Sequence, residues 1–182
     1  MSVLINEKID NLLKNTSRSF YPTLKYLPKK VRGQIGLLYL LARVADTIAD
    51  SKHGNTQDLL NCLKDYNQVA QGNSSKLPDF TDLANIQENP NEAELLMNVN
   101  DVIDGLQVYD EDDQQRMLEC LDIIIGGQIL DLERFGTAKE GGNISALNNN
   151  DEMDDYTYRV AGCVGVFWTK MSLAHLITMP EE

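Results

Sequence analysis

Apolar positions recur along this chain at helical spacing almost from end to end. Leu4–Leu13 reads as a short amphipathic opening helix. Pro28 is well placed near a helix start and opens a long helix running to about Asp50. Thr56 caps a helix through Val69, which Gly72 stops. Residues Gly72–Thr81 are turn-rich, and a short helical turn follows at Asp82–Glu88. Pro90 or Asn91 opens Glu92–Tyr109, with Leu95, Leu96, Val99, Val102, Ile103 and Leu106 at helical spacing. Glu111–Phe135 repeats the pattern through Met117, Leu121, Ile125 and Leu132. A polar Gly/Asn-rich loop covers Thr137–Asn150, and Asp151–Thr178 forms the last helix, ended by Pro180. There is no period-two alternation of β-branched residues and no internal repeat. The fold class is all-α, and 182 residues suit one domain, 1–182.

The long helix breaks the amphipathic rule. Ile35–Ala49 is almost wholly apolar, yet Tyr39, Arg43, Asp46 and Asp50 are threaded through it and its end. At about 100° per residue these four fall within roughly 60° of one another. A helix apolar nearly all round is buried, so the stripe faces protein or a cavity, and buried charge is costly unless paired or bound to metal. Aspartates at i and i+4 stack about 5–6 Å apart at Cβ and repel, which suits a divalent cation. Mg²⁺ takes one or two protein carboxylates and completes its shell with water and phosphate oxygens. Arg43 adds a permanently charged fork for phosphate. The plain structural alternative pairs Arg43 with Asp46 and leaves Asp50 in water at the helix end.

Three further segments carry candidate chemistry. Thr16-Ser17-Arg18-Ser19-Phe20 is a polar hinge between the first two helices, able to grasp phosphate through hydroxyls and guanidinium or simply to form a loop. Gly126 and Gly127 sit mid-helix at a cost of roughly 1 kcal/mol each against alanine. They serve either close helix packing or a kink that opens a cavity for Gln128 and Asp131. Tyr156 and the run Arg159–Gly165 form a face of small residues, fit for close packing or for a hydrocarbon groove.

Composition narrows the function classes. A net charge of −12 and no basic face exclude nucleic-acid binding. Cys62, Cys120 and Cys163 lie far apart without CxxC spacing, so neither zinc nor a disulfide framework is implied. The N-terminus lacks a signal-peptide pattern, and no uncharged apolar run reaches about 20 residues. A cytoplasmic protein with at most peripheral membrane contact is expected.

SRSF at Ser17–Phe20, YLLARVADTIAD at Tyr39–Asp50, GGQILDLERF at Gly126–Phe135 and YTYRVAGCVG at Tyr156–Gly165 occur in the order and spacing of one family. On these segments the chain resembles the squalene/phytoene synthases, the head-to-head prenyltransferases. The resemblance implies an isoprenoid-synthase-type helical bundle around a central cavity. It implies Mg²⁺ at Asp46 and Asp50 and an isoprenyl diphosphate held by Ser17, Arg18, Ser19, Tyr39 and Arg43, with Gln128 and Asp131 also in contact. Tyr156, Tyr39 and Arg43 would be the catalytic set. Val160, Ala161, Val164 and Gly165 would line the hydrocarbon tunnel, and Phe20 would close its mouth. Ionisation of one allylic diphosphate, attack by the second molecule's alkene and proton loss would give a cyclopropyl diphosphate, with Tyr156 acting in that step. NADPH would serve a reductive second step. Thr47 after the first aspartate is more like squalene synthases, favouring farnesyl diphosphate over the twenty-carbon substrate of phytoene synthases. The family's second aspartate-rich motif, Asn-x-x-Arg-Asp-x-x-x-Asp, does not occur before Glu182. The chain is therefore expected to correspond to the N-terminal part of an enzyme and to be inactive alone. A non-catalytic assembly or interaction protein of the same family is the rival class.

Overall fold

The computed structural model describes residues 6–51, 55–139 and 146–177, the side chains of 137–139 aside. All regular structure among them is helical. Helix α1 (Glu7–Ser17) starts where the Asn6 side chain accepts the Ile9 amide at 2.8 Å. It runs past the expected Leu13 to Ser17, and the two polar residues at its end are accommodated by the Thr16 and Ser17 hydroxyls donating back to the Leu12 and Leu13 carbonyls. The expected hinge shrinks to Arg18 and Ser19, and α2 (Phe20–Tyr26) follows at once.

Helix α3 (Lys29–Ala49) begins after Pro28, with Arg32 donating to the Leu27 carbonyl behind it. In α4 (Thr56–Ala70) the cap is Asn55, whose side chain accepts the Asp58 amide at 2.9 Å; Thr56 is already inside the helix. After α5 (Thr81–Asn85), the expected single helix Glu92–Tyr109 is broken into α6 (Pro90–Met97), α7 (Val99–Asp104) and a 3₁₀ turn (Gly105–Val108). The break falls at Asn98, whose side-chain amide donates to the Glu94 carbonyl while its backbone leaves the helical region. Helix α8 (Glu111–Lys139) outruns the expected Phe135. The expected last helix divides into α9 (Asn150–Thr157), a π-helical turn (Tyr158–Gly162) and α10 (Cys163–His175). Its expected end at Thr178 and Pro180 lies outside the described residues.

Helix α3 is the hub, with α8, α4, α1, α6, α7 and α10 packed around it. Leu40, Leu41, Val44, Ala45 and Ile48 are fully buried there, which is why so apolar a helix is stable. Tyr66 of α4 reaches in and donates its hydroxyl to the Leu41 carbonyl at 2.9 Å. From α10, Phe167 and Met171 enter the core, and Trp168, the chain's one tryptophan, packs half-buried against it.

A second polar cluster lies where three elements meet. Asp113 of α8, 1% exposed, accepts from Gln34 of α3 at 2.9 Å and from Arg116 at 2.7 Å, and pairs with His175 of α10 at 2.9 Å. The outer face of α10 is apolar and exposed at Val166 and Leu173. No helix among the described residues is long and apolar enough to cross a membrane.

Candidate functional site

The polar stripe of α3 opens onto a cleft of about 270 Å³. The cleft is lined by Arg43, Asp46, Thr47 and Asp50 of α3 and its end, by Arg18 and Ser51, and by the Ile86–Asn89 segment with Glu92 of α6. Arg18 is there through unusual backbone: at φ 46° and ψ −107° it is the one non-glycine residue with positive φ among those described. Such a conformation costs on the order of 1–3 kcal/mol and persists only where the surroundings enforce it, a condition common at functional sites.

Within the cleft, Arg43 lies between two acids. Its Nη2 makes a close ion pair with Glu92, while its Nη1 is 3.9 Å from Asp46. The Arg43 Nε is buried and has no partner among the described residues. Asp46 accepts from the Gln128 amide of α8, and the Gln128 Oε1 is likewise buried and unpartnered. Burial pushes the Asp46 carboxyl above its ordinary range; Arg43 and Gln128 oppose the rise and Asp50 adds to it. The Tyr39 hydroxyl is also raised, first by burial. Its ring packs on Phe20 with centroids 5.0 Å apart.

Asp46, Asp50, Arg43 and Arg18 are thus brought together, with Gln128 beside them. Asp131, one turn along α8 from Gln128, accepts from the Tyr156 hydroxyl at 3.2 Å, so α8 carries polar contacts to both α3 and α9 from one face. The Tyr156 phenol is raised by burial and by Asp131.

Other candidates are placed elsewhere. Ser17 is 5% exposed and its hydroxyl is engaged by the Leu13 carbonyl, so it is not available to a phosphate. Ser19 is exposed. Thr47 lines the cleft but donates to the Arg43 carbonyl at 2.8 Å. Val160, Ala161 and Gly165 are exposed and Val164 half-buried. The π turn inserts extra residue width ahead of Cys163 and shifts the phase of α10, so the i, i+4, i+8 stack from Tyr156 to Val164 is not kept.

Two residues carry more than their sequence positions suggested. Glu92, in the first turn of α6, looks like an ordinary acid complementing a helix dipole; its ion pair spans 49 positions and leaves no local signal. Arg159 explains the paired glycines. An ideal Cβ on Gly127 would lie 2.9 Å from the Arg159 Cβ, and one on Gly126 would lie 3.1 Å from its guanidinium, so the glycines permit close packing of α8 on the π turn.

Among the described residues no three His, Cys, Asp or Glu side chains gather as a metal group. Two carboxylates one turn apart, an orphaned amide oxygen beside one of them and an open cleft nevertheless fit Mg²⁺, whose remaining ligands are water and phosphate. They do not form an all-protein cage. Residues 13–176 match the family model described as squalene/phytoene synthase. No curated protein sequence gives a match.

Proposed function

The chain belongs to the squalene/phytoene synthase family, whose members are prenyltransferases acting on isoprenyl diphosphates, and from that footing we propose a Mg²⁺-dependent role in joining two farnesyl diphosphates head to head. The observation that carries this reading is the cleft in which Asp46 and Asp50 stand beside Arg43 and Arg18. A site with that charge pattern binds an anion through a cation and through guanidinium groups together. Bound at Asp46 and Asp50, Mg²⁺ would neutralise the diphosphate as it leaves the allylic carbon.

The chain's own residues then have distinct tasks. Arg43 and Arg18 hold phosphate oxygens, and Gln128 fixes the orientation of the Asp46 carboxylate. Phe20 of α2 and Tyr39 of α3 give a tilted aromatic pair where those two helices meet. Tyr156 lies against Asp131, and its phenol stays protonated at neutral pH. When the cyclopropyl ring closes, the Tyr156 Oη takes the departing proton as its own passes to Asp131. Val160, Ala161, Val164 and Gly165 act as a hydrocarbon wall only with a further surface laid over them.

The test is binding of a non-hydrolysable farnesyl diphosphate analogue with and without Mg²⁺. Binding that needs the metal supports the reading, and metal-independent or absent binding overturns it. In a protein that also carries the family's second aspartate-rich motif, incubation with farnesyl diphosphate separates the products: presqualene diphosphate without NADPH, squalene with it. A preference for the twenty-carbon diphosphate would move the chain to the phytoene branch.

A further inference from the structure

Arg43 presents a paired edge, Nε and Nη2, of the kind that grips two oxygens of one anion. Glu92 occupies only half of that edge: its Oε1 meets Nη2, while Nε stays buried without a partner. The same Glu92 oxygen also accepts from the Asn89 side chain at 3.2 Å, so the carboxylate is held from the α6 side rather than centred on the guanidinium. Glu92 lines the cleft together with Asp46, Asp50 and Glu88, so an entering anion meets four acids and must compete for the arginine.

We propose that Glu92 is a displaceable counter-ion, holding the place of a phosphate on Arg43 until a diphosphate takes the whole Nε–Nη2 edge and releases it. This rests on the diphosphate reading above and adds an ordering to it. A phosphate satisfies both N–H groups where the carboxylate satisfies one, so the exchange removes a buried unmade hydrogen bond. Released, Glu92 remains held by Asn89 in the first turn of α6, where the helix dipole favours a carboxylate. The empty cleft thereby avoids an unpaired guanidinium at the cost of weaker diphosphate binding, and Glu92 is a positioning residue that sets affinity.

The experiment measures the dissociation constant of inorganic pyrophosphate in Mg²⁺ by calorimetry for four proteins: the unsubstituted chain, Glu92→Gln, Arg43→Gln and the double variant. Displacement predicts that Glu92→Gln binds about tenfold tighter, and that the same substitution changes little in the Arg43→Gln background. An equal gain in both backgrounds means general charge repulsion and overturns the exchange. Unchanged or weaker binding by Glu92→Gln with a lowered melting temperature means that Glu92 only braces α6 on α3, and overturns it too. If neither the unsubstituted chain nor Glu92→Gln binds Mg²⁺-pyrophosphate, the diphosphate reading itself falls and takes this inference with it.

Discussion

At Asp46, burial and Asp50 disfavour the ionised carboxyl more than Arg43 and Gln128 favour it. An acid whose pKa rises on folding subtracts stability as the pH climbs from its ordinary value through its raised one. Asp46→Asn removes that cost, so at pH 7.5 the variant should melt no lower than the unsubstituted protein while Mg²⁺-dependent pyrophosphate binding is lost. A calorimetric titration beside a thermal melt checks both halves, and retained binding would remove Asp46 from the metal assignment. For the same reason, binding by the unsubstituted protein should weaken on acidification at a higher pH than an ordinary aspartate would give, because protons compete for the raised carboxylate. Tyr156→Phe addresses the proton step. In a protein that also carries the second aspartate-rich motif, substrate affinity should hold, while product formation falls about 10²-fold, the scale of a lost acid–base group. Near-normal turnover would leave Tyr156 a packing residue. The acidic stripe was legible in the sequence because four polar residues on one face of an apolar helix is an angular fact. Glu92 was not, since its partner lies 49 positions away and only the folded chain brings them together.

Among elements, the long helices were legible because tertiary packing agrees with their periodicity, as α3 and α8 illustrate. The breaks were not. Asn98 and the Tyr158–Gly162 turn interrupt stretches whose apolar spacing continues through them, and a π turn changes phase without needing a glycine or proline. Gly126 and Gly127 hinted at either packing or a cavity, and Arg159 supplies the packing answer. Glycine substitutions inside and outside this contact should therefore differ in sign. Gly127→Ala forces a Cβ against Arg159 and should cost about 1–3 kcal/mol, as overpacking does. Gly165→Ala meets nothing within 4 Å and should gain up to about 1 kcal/mol from helix propensity. Urea unfolding measures both, and a stabilised Gly127→Ala would refute the close-packing account.

Across the whole molecule, Asp113 joins α3, α8 and α10 through Gln34, Arg116 and His175. Burial alone would raise its carboxyl, but His175, Gln34 and Arg116 more than offset that and hold it below the ordinary range. A depressed carboxyl stabilises the fold above its unfolded pKa, and that stability drains away as the pH falls through its folded value. Asp113→Asn should cost about 3 kcal/mol at neutral pH, because it strips a charged partner from a buried cluster. Chemical denaturation at neutral and acidic pH should find the gap between the two proteins closing on the acid side.

Helix α10 also carries Trp168, and a lone indole half-sheltered by the bundle is an optical gauge already installed. His175 anchors the far end of that helix to Asp113. When acid loosens the anchor, the indole should meet water while α3 and α8 remain coiled, so its emission should shift to the red before far-ultraviolet ellipticity falls. The two signals read separate parts of one chain without any label attached.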